Sequence, residues 1–168
     1  MIITKTYKDL RPVLMERVKN GVKIPYYLLT DKDQVIFAVS PGLNGGEFNK
    51  TAGYFNDFSG VQTYHCLYGS GILLMQRNDE SEEAKEFKMV RLSPHRQVNA
   101  PAGWLVCLVN TANKFLIVLR NSYLDEKYKV PKSILEKRGF AYYVVEKKGE
   151  ITFKPNLNYR VHPQITAE

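Results

Sequence analysis

A chain of 168 residues, 44% hydrophobic and 24% charged, has the composition of one folded globular domain and not of a disordered segment. Its apolar runs, such as Leu105–Val109 and Phe115–Leu119, fall far short of the roughly 20 residues of a membrane-spanning helix, and no leader peptide is read at its start. The net charge of +7 gathers at the two ends, residues 1–30 and 120–168, but forms no dense Lys/Arg block and no aromatic-basic signature, which argues against a nucleic-acid partner.

In chain order, Leu10, Val13, Leu14 and Val18 follow helical spacing, which predicts a helix over Tyr7–Asn20 closed by Gly21, with Pro12 tolerated near its start. Beyond Pro25 the period shortens to two. Strands are predicted at Pro25–Leu29, Val35–Ser40, Phe48–Asn56, Val61–Tyr68, Ile72–Gln76, Lys85–Leu92, Gln97–Asn99, Leu105–Asn110 and Phe115–Arg120. Turn residues separate them, among them Asn44-Gly45-Gly46 and Gly69-Ser70-Gly71, and the acidic stretch Asn78–Glu83 reads as a hairpin tip. A second helix is predicted at Lys132–Arg138, between Pro131 and Gly139, followed by a hairpin of Ala141–Glu146 and Glu150–Lys154. Regularly punctuated short strands without repeat or linker predict an all-β sandwich or barrel in one domain. Cys66 and Cys107 lie inside apolar strand-like runs, as buried thiols do, and fit a reducing cytoplasm.

Two stretches carry a more specific pattern. Pro101-Ala102-Gly103-Trp104-Leu105-Val106-Cys107-Leu108-Val109-Asn110 resembles the second cupin motif, with Val106 where a histidine belongs and His95 where a glycine would open the motif. Gly53-Tyr54-Phe55-Asn56, then Gln62, then Gly69 resembles the first, with Tyr54 and Asn56 at the histidine positions and Gln62 at the glutamate position. Gly46–Gly53, Gln62-Thr63-Tyr64, Gly69-Ser70-Gly71 and Leu135–Phe140 are similar to segments of the archaeal-type, cupin-fold glucose-6-phosphate isomerases. The resemblance covers residues 35–158. It implies a cupin jelly-roll barrel over residues 25–120 with an N-terminal helix, a C-terminal helix and hairpin over 131–154, a homodimer, and sugar-phosphate isomerisation at a divalent metal.

All four positions that match the family's metal ligands differ here. Val106 has no donor atom, Asn56 and Gln62 offer neutral amide oxygens, and Tyr54 would have to lose a proton whose ordinary pKa is about 10. Gln62 cannot serve as the proton-carrying base its glutamate counterpart suggests. Strand alternation puts Gln62, Tyr64 and Cys66 on one face and Thr63, His65 and Leu67 on the other, so His65 turns away from the barrel if Gln62 faces it. The expectation is a protein without metal or other cofactor whose isomerase activity has been lost.

Tyr54, Asn56, Gln62 and Tyr64 are expected on the inner face with Cys66, opposite Val106 and Leu108. Two readings of this polar interior stand side by side: a self-satisfied core in which Asn56 bonds Gln62, and a sugar-binding site in which amides meet hydroxyls and tyrosine rings stack on the sugar. Thr51, Gly53 and Tyr128 match family positions near the substrate phosphate, with Lys50 adjacent. Glu47 and Asp57, the nearest acids, are expected on loops or outward faces, and Trp104 as a packing residue at the rim. Three functions follow: a cupin-fold protein binding a sugar phosphate or related small metabolite, an isomerase or epimerase with altered chemistry, or a structural or regulatory dimer with a filled barrel.

Overall fold

The computed structural model describes residues 1–57, 59–125 and 127–168. Among the described residues, fifteen strands form: β1 (Ile2–Lys5), β2 (Tyr26–Thr30), β3 (Val35–Val39), β4 (Leu43–Asn44), β5 (Glu47–Phe48), β6 (Tyr54–Phe55), β7 (Gln62–Tyr68), β8 (Gly71–Asn78), β9 (Ala84–Leu92), β10 (Gln97–Ala100), β11 (Leu105–Asn110), β12 (Leu116–Arg120), β13 (Tyr142–Lys147), β14 (Glu150–Pro155) and β15 (Ile165–Ala167). Two short helices, α1 (Tyr7–Leu10) and α2 (Lys132–Lys137), complete the elements with a 3-10 turn at Arg11–Val13. The fold is all-β.

Three sheets form. One has the order β1-β2-β3-β12-β7-β10, the second β15-β9-β8-β11-β6 and the third β14-β13-β5-β4. From β7 to β12 the chain wraps as a jelly roll does: β7, β10 and β12 lie in the first sheet, and β8, β9 and β11 in the second. The β7–β8 corner is tight enough to require glycine. Gly69 has φ +81°, and a Cβ there would lie 2.2 Å from the Phe115 carbonyl oxygen, while one on Gly71 would lie 2.3 Å from that of Val109. The inward residues share one core, running from Leu10 and Phe37 through Leu73, Leu108 and Val118 to Phe140.

Two expectations are corrected. The helix expected over Tyr7–Asn20 ends as α1 and the 3-10 turn, and Leu14 is already extended. The backbone groups that would continue it bond elsewhere: the Met15 N–H donates to Glu47 Oε1 and the Val18 N–H to the Tyr7 hydroxyl, while the Val13 carbonyl accepts from Lys50 and the Leu14 carbonyl from Arg138. Tertiary partners thus take the bonds that a helix would have made for itself. The strand expected over Phe48–Asn56 is broken into β5 and β6, because Asn49 turns inward to donate to the Pro25 and Ser40 carbonyls and Gly53 takes φ +114°. β1 and β15 were not foreseen; β15 is a strand only through its parallel pairing with β9.

Candidate functional site

β7 and β12 place the polar interior. On β7, Gln62, Tyr64 and Cys66 are buried and Thr63 and His65 are half-buried on the other face, as alternation predicts. On β12, Leu116, Val118 and Arg120 are buried and Ile117 and Leu119 face outward. The register sets Arg120 between Tyr64 of β7 and Val35 of β3. A fully buried guanidinium, 2% exposed, therefore sits among the residues expected to line a pocket.

Its surroundings are aromatic. The guanidinium lies 5.8 Å from the centre of the Phe37 ring, against which Tyr54 packs edge-on and Tyr64 face-on. Tyr54 stacks on Tyr128 at 5.1 Å, and its hydroxyl donates to that of Tyr26 at 3.1 Å. The Tyr128 hydroxyl accepts the Phe55 N–H at 2.9 Å and also lies 3.5 Å from the Gly53 carbonyl. The Tyr64 hydroxyl donates to Gln62 Oε1 at 3.4 Å. Burial pushes the phenols of Tyr54 and Tyr64 up and carries those of Tyr26 and Tyr128 to about 12; the positive charge of Arg120 partly opposes this at Tyr54, Tyr64 and Tyr128.

Arg120 forms no ion pair among the described residues. Nη2 donates to the Tyr123 carbonyl at 2.8 Å, and buried Nε has no hydrogen-bond partner. Ser122 Oγ is a second buried polar atom without one. An uncompensated buried charge costs several kcal/mol of stability. Beside it, a surface depression of about 420 Å³ is lined by Asp33, Asp57, Gln62, Asn121, Ser122 and Tyr123. Arg120 touches one wall of this depression from inside, through the Tyr123 carbonyl.

The other expected site residues are spent within the fold. The Thr51 hydroxyl accepts the Leu108 N–H at 3.0 Å and is fully buried against β11. Asn56 donates to the Ala100 carbonyl at 2.9 Å and to that of Gly60, closing the loop before β7. A Cβ on Gly53 would meet the Phe140 ring at 3.1 Å, so its surface is covered. Trp104 is buried beneath the Lys88 ammonium. Glu47 is a correction: it is not outward but fully buried, with Oε2 2.6 Å from the Lys50 ammonium, which also donates to the Val13 carbonyl. The enclosed void beside this pair, also lined by Cys107 and Phe140, is about 10 Å³, room for about one water.

The donor set does not fit a divalent metal. Val106 is buried in β11 opposite Tyr54, and the Tyr54 phenol keeps its proton. Among the described residues no three His, Cys, Asp or Glu side chains gather as ligands. Arg120 escaped the sequence reading because an arginine closing an apolar strand reads as its solvated end. Counting the alternation Leu116, Val118, Arg120 through to the last residue would have placed it inside.

No protein-family model matches the chain, and no curated protein matches its sequence. Among solved structures, the Drosophila melanogaster CENP-C cupin domain is similar over 58% of this chain and 65% of its own, at 10% identity and a TM-score of 0.44. The hydroquinone 1,2-dioxygenase from Sphingomonas sp. TTNP3 is similar over 56% and 61%, at 10% identity and a TM-score of 0.41. For the capsular polysaccharide assembling protein CapF from Staphylococcus aureus the shares are 67% and 29%, with 14% identity and a TM-score of 0.42. The matched region spans less than two thirds of each of these chains, and the likeness concerns fold alone.

Proposed function

We propose that this chain is a metal-free binding protein of cupin type whose ligand is a sugar phosphate or a related small phosphorylated metabolite. The observation that supports it is Arg120, a buried guanidinium with no carboxylate partner among the described residues, whose Nη2 donates to the Tyr123 carbonyl in the wall of a polar depression. A phosphoryl group is the counter-ion that such a site lacks, and guanidinium matches phosphate oxygens in geometry as well as charge. The Gln62 and Asn121 amides and the Asp33 and Asp57 carboxylates suit sugar hydroxyls, which donate and accept. The two carboxylates disfavour an anion directly above them, so the phosphoryl group enters on the Ser122 side. With no imidazole or carboxylate at Tyr54, Asn56, Gln62 and Val106 and no base at Gln62, this reading gives the chain no metal-dependent isomerisation.

A second reading is favoured by Tyr54, Tyr128, Tyr64 and Phe37, which fill the barrel centre ring against ring: a structural or regulatory protein with a filled interior. Thermal unfolding with glucose 6-phosphate, glucose and inorganic phosphate separates the two. At a hundredfold excess over Kd a ligand stabilises by about 2.7 kcal/mol. The expected result is a rise in Tm with glucose 6-phosphate, a smaller one or none with glucose, and loss of the response in Arg120→Met. Because methionine removes an unpaired buried charge, unliganded Arg120→Met should be as stable as the parent or more so. No response of the parent to either phosphate compound overturns ligand binding at Arg120 and leaves the filled barrel.

A further inference from the structure

The two ends of the jelly roll differ in charge. At one end, the connections β2–β3, β6–β7, β8–β9 and the stretch after β12 carry Asp31, Asp33, Asp57, Asp79, Glu80 and Asp125. At the other, the corners β7–β8, β9–β10 and β11–β12 carry His95, Arg96 and Lys114 and no Asp or Glu. Register puts these three corners at one end: Gly71 pairs with both Leu92 and Asn110, and His65 with Gln97. They also touch. A Cβ on Gly69 would lie 2.2 Å from the Phe115 carbonyl oxygen, and the Cys66 N–H donates to the Arg96 carbonyl while the Cys66 carbonyl accepts the His95 N–H.

The same corners hold large apolar side chains out of the core. Alternation that buries Gln62, Tyr64 and Cys66 would bury Tyr68 as well, but β7 is irregular there: Ile117 pairs with Tyr68 and Val118 with Cys66, so Leu67 is passed over. Leu67 and Tyr68 are therefore both exposed, at 42% and 47%, with Phe115 of the adjoining corner at 39%. His95 stands between them and Arg96 with φ +77°, a conformation that is costly for a residue with a Cβ and that gathers at functional surfaces. We infer that this end docks on an anionic lipid surface, with Leu67, Tyr68 and Phe115 entering the headgroup layer and Arg96 and Lys114 meeting its phosphates. Both characters of the patch select that partner. Aromatic rings favour the depth of the headgroups, aliphatic groups favour the acyl boundary below, and exposed cations are drawn to the anionic lipids around them. A nucleic-acid strand would match the cations and the rings but would set its polar backbone against Leu67. Docked in this way, the chain keeps the acidic end, with the depression beside Arg120, turned toward water.

Flotation of the full chain with phosphatidylcholine vesicles, with and without phosphatidylserine, tests this in the parent and three variants. The parent should float with the phosphatidylserine vesicles only, and less as salt is added. Lys114→Glu, which replaces a cation by an anion at the patch, should lower the partition coefficient roughly tenfold. Lys85→Glu makes the same change in net charge near the acidic end of β9 and should bind as the parent does. Leu67→Ser adds no charge and should weaken binding severalfold with the salt dependence unchanged; it carries the test if Lys114→Glu does not fold. A parent that stays with neither vesicle overturns the inference, and one that instead binds a single-stranded oligonucleotide overturns it in favour of nucleic acid. Equal loss in Lys85→Glu and Lys114→Glu, or full binding by Leu67→Ser, overturns it too, by showing that net charge alone acts. None of the substituted residues lines the depression beside Arg120, so the outcome is separate from that of the ligand reading.

Discussion

Two buried cations show how differently the fold treats the same charge. Lys50 is closed off with Glu47 at 2.6 Å, a backbone carbonyl and the Tyr143 ring, whereas Arg120 has a carbonyl, aromatic faces and, among the described residues, no carboxylate. The first arrangement is a matched pair: removing one member strands the other, so Lys50→Ala or Glu47→Ala should cost about 3–5 kcal/mol in urea unfolding. The joint variant Glu47→Gln/Lys50→Met should recover much of that loss, since no charge is left unpaired. Equal losses in the single and joint variants would show that the pair acts through packing alone. Neither environment was legible from single residues. Lys50 lies in a stretch that reads as a continuous strand and Glu47 just before it reads as outward, and only the folded chain closes the two on each other.

Among the elements, α2 and the C-terminal strand depend on one carboxylate in the β8–β9 turn. Glu83 accepts from Lys137 of α2 at 2.8 Å and from the Arg160 and Val161 N–H groups that lead toward β15. The Lys137 bond, joined by these backbone bonds, holds its carboxyl below the ordinary range. A lowered folded pKa gives stability that is present above the unfolded value and lost as pH falls through the folded one. Glu83→Gln should therefore speed amide hydrogen exchange in residues 160–167 at neutral pH while leaving β7 and β12 protected. Unchanged exchange there would mean that the β9–β15 pairing holds the tail by itself. The strands from β7 to β12 were legible to within two residues, because period-two burial and glycine corners specify them locally. α1 was not, because the residues that end it (Glu47, Lys50 and Arg138) lie far away in sequence.

For the molecule as a whole, the tyrosine-rich interior sets an alkaline limit. Burial carries Tyr26, Tyr128 and Tyr159 to about 12 and raises Tyr54 and Tyr64. Between pH 10 and about 12 the unfolded chain sheds phenolic protons that the folded chain keeps, so stability is full below 10 and falls as pH rises through that window. Tm should drop steeply there, and tyrosinate absorbance should rise in two steps, exposed phenols first and buried ones with unfolding. A single step near 10 in protein that is still folded would show that the interior is open to solvent. The sequence alone determined the all-β class and the positions of most strands, because alternation and turn glycines are local properties. Only the tertiary structure decided that Thr51 and Asn56 bond backbone groups, that Glu47 and Lys50 close on each other, and that Arg120 stands in the interior without a counter-charge among the described residues. Those outcomes depend on which strands become neighbours, and each polar group's partner comes from a part of the chain that its own neighbourhood in sequence does not specify.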